Sequence, residues 1–257
     1  MIKESFQDLL CDALKLHPRK DVISIVGAGG KTSTLVRLAE ELSLKNKRVI
    51  LTTTTHIEPL QFKLMRYSRD LTLNMIEDIE AIIRRHPLLI IKRKVRGNKL
   101  KGIPPENIGL INRDVDFDYM VVEADGAKNK SLKAPHKHEP QVPHCTTFFI
   151  AVVGFDIIGK KLNKNNVHRP RNVARVTGKS IGDTIEPDDI VTLCKKPEGL
   201  LKSRPPATRT AVILNKVYEY QIKTANNLAA DILRNGKGIN SVICGQLNSP
   251  RQLLLFT

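Results

Sequence analysis

The sequence predicts an α/β fold built on a mostly parallel, doubly wound sheet. Three observations carry that expectation. Segments such as Val22–Val26, Phe117–Val122, Thr147–Val153 and Thr210–Leu214 are dominated by apolar residues, as strands buried on both faces are. Stretches with apolar residues at helical spacing lie between them, above all Thr32–Leu44, where Leu35, Leu38, Ala39 and Leu42 share a face. Polar residues gather where strands end, at Thr52–His56, Glu123–Gly126 and Asn215–Tyr218. Ligands of such sheets bind beyond the carboxyl ends of the strands.

Taken in order, Met1–Leu16 mixes charges with apolar residues and reads as an amphipathic helix. Val22–Val26 is the first strand, Thr32–Leu44 a helix and Lys47–Leu51 the second strand. A helix is expected around Asn74–Arg85, followed by Leu88–Ile91 and Leu100–Ile103 as the strands of an inserted basic hairpin turning at Gly97-Asn98. Phe117–Val122 is a strand, Ala127–His144 a proline-punctuated loop, and Thr147–Val153 another strand. From 154 to 206 the pattern weakens into a small helical insertion, with short helices near Arg171–Val176 and Pro187–Cys194. Thr210–Leu214 and Ser241–Cys244 resume the strands around a helix at Ile222–Leu233. The whole chain, 1–257, is expected to form one domain, a length that can bury a substantial core.

The first strand runs straight into Gly27, Ala28, Gly29, Gly30, Lys31, Thr32 and Ser33, and a helix follows. Glycines let backbone N–H groups close around an anion, the helix N-terminus adds a favourable dipole, and the lysine supplies a point charge. The usual phosphate loop has one more glycine, where this chain has Ile25, so the motif is a shortened G-x-x-G-K-T. The fold expected is therefore P-loop NTPase-like. Its second part should be an acid ending a buried strand. Glu123 and Asp125 supply two, spaced to point the same way in extended chain. The expected roles are Lys31 neutralising the β/γ charge, Thr32 and Asp125 holding Mg²⁺, and Glu123 orienting or deprotonating the attacking group.

Asn215-Lys216-Val-Tyr218 follows a strand where GTPases hold N-K-x-D, and it is a candidate for contacts to the base. Tyr218 lacks the paired acceptor that selects guanine, so the nucleotide is ATP or GTP. Thr54 and Thr55 are candidates for the γ-phosphate or the water shell of the metal. His136, His138, Glu139, His144 and Cys145 match no common zinc spacing. With Lys128, Lys130 and Lys133 they suit the lining of an anionic substrate pocket. His168 and Arg169, with Asn163, are further polar candidates before Pro170.

Composition narrows the partners. Net charge is +16, which favours acidic ones such as nucleotides. The densest basic run, Lys92–Lys101, holds no aromatic residue on which bases could stack, which argues against nucleic acid. Leu88–Ile91 is broken by Lys92, so no run is long enough to cross a bilayer. Cys11, Cys145, Cys194 and Cys244 lie far apart, a spacing that predicts reduced thiols in a cytoplasmic protein.

The blocks V-G-A-G-G-K-T-S, V-I-L-T-T-T-T-H-I, V-V-E-A-D-G-A-K, L-K-A-P-H-K-H-E-P, N-V-H-R-P, P-E-G-L-L-K and I-L-N-K-V together resemble the selenium-dependent hydroxylase accessory protein (YqeC) family. They occur in the family's order over about residues 22 to 216. The resemblance implies a P-loop nucleotide-binding protein tied to maturation of selenium-dependent molybdenum hydroxylases, with a hydroxylase or its cofactor-assembly proteins as partners. It implies a pathway rather than a reaction. The family's phosphate loop falls on Gly27, Gly29, Gly30, Lys31 and Thr32. Its acidic block falls on Glu123, Asp125 and Gly126, and its A-P-x-x-H-E-P block on Ala134, Pro135, His138, Glu139 and Pro140. Where relatives continue N-K-V with aspartate, this chain has Tyr218. Two mechanisms compete: a slow NTPase or nucleotide-dependent transferase, and a cofactor-delivery chaperone that uses nucleotide as a switch.

Overall fold

Strands that are apolar on both faces need cover on both sides, and the helices here supply it. The computed structural model describes residues 3–16, 20–57, 68–69, 76–85, 88–91, 93–94, 100–249 and 253–257. The chain opens with β1 (Glu4–Gln7), α1 (Leu10–Ala13), β2 (Asp21–Gly27), α2 (Lys31–Leu44), β3 (Val49–Thr53), β4 (His56–Ile57) and β5 (Ser68–Arg69). Next come α3 (Ile76–Arg85), β6 (Leu88–Ile91), β7 (Arg93–Lys94), β8 (Leu100–Lys101), α4 (Pro105–Asp114), β9 (Tyr119–Glu123), β10 (Leu132–Lys133) and β11 (Phe148–Gly154). The remainder is β12 (Val167–His168), α5 (Pro170–Thr177), α6 (Pro187–Lys195), β13 (Arg209–Asn215), α7 (Ile222–Asn235), β14 (Ser241–Gly245) and β15 (Leu253–Phe256).

Ten strands form one sheet in the order β1-β15-β14-β13-β11-β2-β9-β3-β6-β5. Every pairing from β14 to β5 is parallel; β15 joins β14 and β1 antiparallel. This is the mixed α/β fold with a mostly parallel sheet that the apolar runs predict. Successive residues of β11 alternate between two cores. Phe148, Ile150 and Val152 pack with Leu35, Leu38 and Leu42 of α2, while Phe149, Ala151 and Val153 pack with α5, α6 and α7. On the latter face, Ile79 and Ile83 of α3 and Ile108 and Ile111 of α4 cover Val22, Ile50, Met120 and Val122. The 154–206 stretch holds α5 and α6, and its Val173, Ile190 and Leu193 join the same cluster as β11 and β13.

Three expectations need correction. The N-terminal stretch is a strand and one short helical turn rather than a continuous helix, because β1 takes up the free edge of β15. Leu88–Ile91 is not part of the basic hairpin; this apolar run lies parallel beside β3 in the main sheet. The hairpin pairing is instead β7 with β8, which also meets β4, and the turn at Gly97-Asn98 lies outside the described residues. α4 and β15 had no counterpart among the expected elements.

The strand order positions the site. β2 lies between β9 and β11, so the segments following these three parallel strands emerge side by side at one sheet edge. The connections of β3 and β6 lie to one side and those of β13 and β14 to the other, which opens a crevice there. None of the described helices is long and apolar enough to cross a membrane.

Candidate functional site

An open cleft of about 2060 Å³ lies at this edge, lined by Gly29, Gly30, Lys31, Thr32 and Ser33. The loop that reaches it is closed from within. Gly27 N–H donates to Asp125 Oδ2 at 3.1 Å, and Ala28 N–H donates to the Val152 carbonyl at 2.8 Å. Gly29 and Gly30 have φ of 82° and 147°, and a Cβ on either would collide, with the Gly154 backbone and the Asn215 amide respectively. Their own N–H groups donate to nothing among the described residues. α2 then starts at Lys31 with no side-chain cap on its N-terminus.

Lys31 is buried. Its Nζ donates to the Gly27 carbonyl at 3.1 Å and lies 3.4 Å from Asp125 Oδ1 and 3.5 Å from Glu123 Oε1. Burial works against its charge, but the carboxylates of Asp125 and Glu123 more than offset this and hold its pKa above the ordinary value. Both acids of the strand end therefore meet the loop lysine, as their i, i+2 spacing implies. They differ in surroundings. Asp125 is fully buried, and its Oδ2 is also 2.9 Å from Lys133 Nζ. Glu123 is one-fifth exposed, and the Thr32 hydroxyl donates to its Oε2 at 3.1 Å. The expected pairing of Thr32 with Asp125 around magnesium does not fit this geometry: Asp125 is enclosed by two lysines and the loop backbone, while Thr32 and Glu123 face the cleft together.

A charged chain runs onward from Asp125. Lys133, fully buried, is 2.9 Å from Glu139 Oε2 and donates to the Gly126 carbonyl at 2.7 Å. Glu139 Oε1 accepts from Arg169 Nη2 at 2.7 Å, and Arg169 Nε donates to His168 Nε2 at 3.2 Å. Burial raises the pKa of Glu139, but Lys133 and Arg169 outweigh it and hold the carboxyl below its usual range. Burial, with the charges of Lys133 and Arg169, pushes His168 down to about 4, so it is neutral near pH 7. β10 and β12, paired parallel with Lys133 opposite His168, bring the two segments together.

Asn215 and Lys216 are structural braces in this arrangement. Asn215 Nδ2 donates to the Gly29 carbonyl at 2.8 Å, and its Oδ1 accepts from Leu247 N–H at 2.9 Å. Lys216 Nζ donates to Ser131 Oγ at 2.9 Å and lies 3.4 Å from Asp156 Oδ1. Both residues still line the cleft, as does exposed Tyr218. Thr54 and Thr55 line it too; Thr54 Oγ1 donates to the Gln141 carbonyl at 2.9 Å, and Thr55 Oγ1 shares a hydrogen bond with Thr53 Oγ1 at 3.1 Å.

The histidine-rich stretch divides. His136, His138 and Glu139 line the cleft, whereas His144 and Cys145 do not. Among the described residues no three His, Cys, Asp or Glu side chains are grouped to hold a metal ion. Lys128 and Lys130 line the cleft, but Lys133 is buried beneath it. Asn163 closes its own turn, accepting from the N–H groups of Asn165 and Asn166. Sequence reasoning missed Asp156 and Ser131, which hold Lys216. Asp156 lies two residues beyond the end of β11, as Asp125 lies beyond β9, so its signal was readable.

A family model described as YqeC protein matches residues 23–171, a span that holds the loop, both strand-end acids and Arg169. The uncharacterized protein YqeC of Escherichia coli (strain K12) is 35% identical over 204 residues, covering 79% of this chain and 78% of that protein.

Proposed function

This chain belongs to the YqeC family, and on that premise we propose that it is a Mg²⁺-dependent nucleotide-binding protein that cleaves or transfers the terminal phosphoryl group of ATP or GTP. The observation that carries this reading is the loop itself. Gly29 and Gly30 N–H groups have no acceptor among the described residues, and they stand beside a lysine held between two carboxylates at the carboxyl edge of a parallel sheet.

The Thr32 hydroxyl and the Glu123 carboxylate, 3.1 Å apart, form an all-oxygen donor pair suited to magnesium and would hold it. When bound, the ion neutralises charge on the phosphate oxygens. Lys31 moves from Asp125 and Glu123 to the polyphosphate, whose negative charge takes over from the two carboxylates in favouring the ammonium form. Asp125 keeps the loop in place through the Gly27 N–H and remains paired with Lys133. An oxygen of water or of an acceptor bonds to the γ-phosphorus as the bond from that phosphorus to the β–γ bridging oxygen breaks. The nucleoside diphosphate leaves with the electron pair, and the proton lost by the attacking oxygen goes to released phosphate or solvent.

The pathway is maturation of selenium-dependent molybdenum hydroxylases, with the partners that the family resemblance implies. A cofactor-delivery switch is the second reading, favoured by the Lys31–Asp125 contact that nucleotide must break. Thermal unfolding with ATP, GTP, CTP and ADP, each with and without Mg²⁺, tests the shared premise. At about a hundred times Kd, the right triphosphate with Mg²⁺ raises the midpoint by roughly 5–10 °C. Lys31→Ala abolishes that rise; an undiminished rise in the variant would overturn the assignment.

A further inference from the structure

Arg169 is held with more care than a surface arginine needs. Its guanidinium lines the cleft and is 31% exposed, yet only two of its N–H groups have acceptors among the described residues, Glu139 and His168. Its backbone is left-handed, at φ 60° and ψ 60°, a conformation that costs a non-glycine residue about 1 kcal/mol or more. Glu139, which orients it, is itself fixed by fully buried Lys133. A solvated ion pair has no such foundation and contributes little to stability.

Among the described residues the cleft as a whole is lined by six acidic and six basic side chains, but around Arg169 the balance is positive. Beyond burial, Lys133, Arg169 and Lys128 act together against protonation of neighbouring His168, and the charge of Glu139 is already shared between Lys133 and Arg169. The free edge of the guanidinium is a planar fork that matches oxyanions in two-point contact.

We propose that Arg169 is the centre of a second anion subsite in the cleft, taking a small phosphate- or carboxylate-bearing molecule beside the nucleotide's polyphosphate. The subsite rests on the nucleotide reading for its role as an acceptor site, and on its own geometry for its existence. Glu139 and Lys133 are positioning residues; Arg169 makes the contact.

The test titrates inorganic phosphate, and separately acetate, into two proteins followed by calorimetry. One is Lys31→Ala, which removes the loop's lysine as a competing anion ligand; the other carries Lys31→Ala with Arg169→Gly. Glycine accepts a φ of 60° without strain, so the substitution removes the guanidinium without burdening the backbone. Lys31→Ala is expected to bind one of the two anions, and adding Arg169→Gly to weaken that binding about tenfold or more. Arg169→Lys in the same background restores charge without the fork and recovers part of the affinity. Phosphate and acetate binding that stays within about twofold on adding Arg169→Gly overturns the subsite and leaves Arg169 as a structural ion pair. Loss of anion binding with Arg169→Gly, in a protein whose native form does not respond to any Mg²⁺-nucleotide, sustains the subsite and overturns the nucleotide reading.

Discussion

His168 keeps a neutral imidazole because burial and two neighbouring cations, Lys133 and Arg169, oppose its protonation. Its pKa in the fold, about 4, lies below the ordinary 6.5, so the unfolded chain takes up the proton first as pH falls. Stability therefore declines from about pH 6.5 to about pH 4. Glu139 is shifted in the same direction: its contribution is present above 4.5 and is lost as pH falls through its lowered pKa. A His168→Gln protein, followed by urea unfolding between pH 7 and pH 4, should lose the upper part of this decline; an unchanged profile would contradict the account. Lys133 can be tested more severely. It neutralises Asp125 and Glu139 with no exposure to water, so Lys133→Met leaves both carboxylates without their central cation. The expected cost is roughly 3–5 kcal/mol by chemical denaturation. Glu123 and Asp125 were recognisable as a pair from their spacing at a strand end. Their division into a cleft-facing acid and a buried one was not, since it depends on Lys133 beneath them.

Asn215, the last residue of β13, ties together the segments following β2 and β14 through its side chain. Asn215→Ala removes both hydrogen bonds and leaves Leu247 N–H, a buried donor, without its partner. The expected loss is about 1–3 kcal/mol in urea unfolding, with a reduced midpoint rise on adding Mg²⁺-nucleotide because the Gly29 carbonyl is no longer held. An unaltered nucleotide response would show that the brace does not shape the loop. The N-K pair is visible in the sequence, and its placement after a strand suggested base contacts. The amide instead spans 186 residues to reach Gly29, a distance no local pattern records. Sequence spacing likewise suggested a continuous helix for residues 1–16. The ladder that β15 offers to β1 prevailed over helical periodicity, because an edge strand satisfies a row of backbone groups at once.

Beyond the site, β15 lies between β14 and the edge strand β1, and its Leu253, Leu254, Leu255 and Phe256 are all buried. Phe256 packs in the same cluster as α5, α6 and α7, the helices that cover the Arg169 side of the fold. Phe256→Ala should cost about 3–5 kcal/mol and lower the thermal midpoint by several degrees; a loss under about 1 kcal/mol would mean that the packing of this strand contributes little. The basic net charge is not concentrated on the cleft, whose lining holds six acidic and six basic side chains among the described residues, so its attraction for anions belongs to the molecule as a whole.

Local patterns were enough to place the glycine loop, the helix that follows it and the buried strands Val22–Val26 and Thr147–Val153. Contiguous apolar residues must be buried wherever the chain goes, and a glycine run before a helix has few conformations that satisfy its backbone. The pairing of charges was decided elsewhere. β2 lies between β9 and β11, and β10 beside β12; only that order sets Gly27 against Asp125, 98 residues away, and Glu139 against Arg169, 30 residues away. Coulombic partners act over a few ångströms of space, and strand order rather than chain position determines which charges come that close.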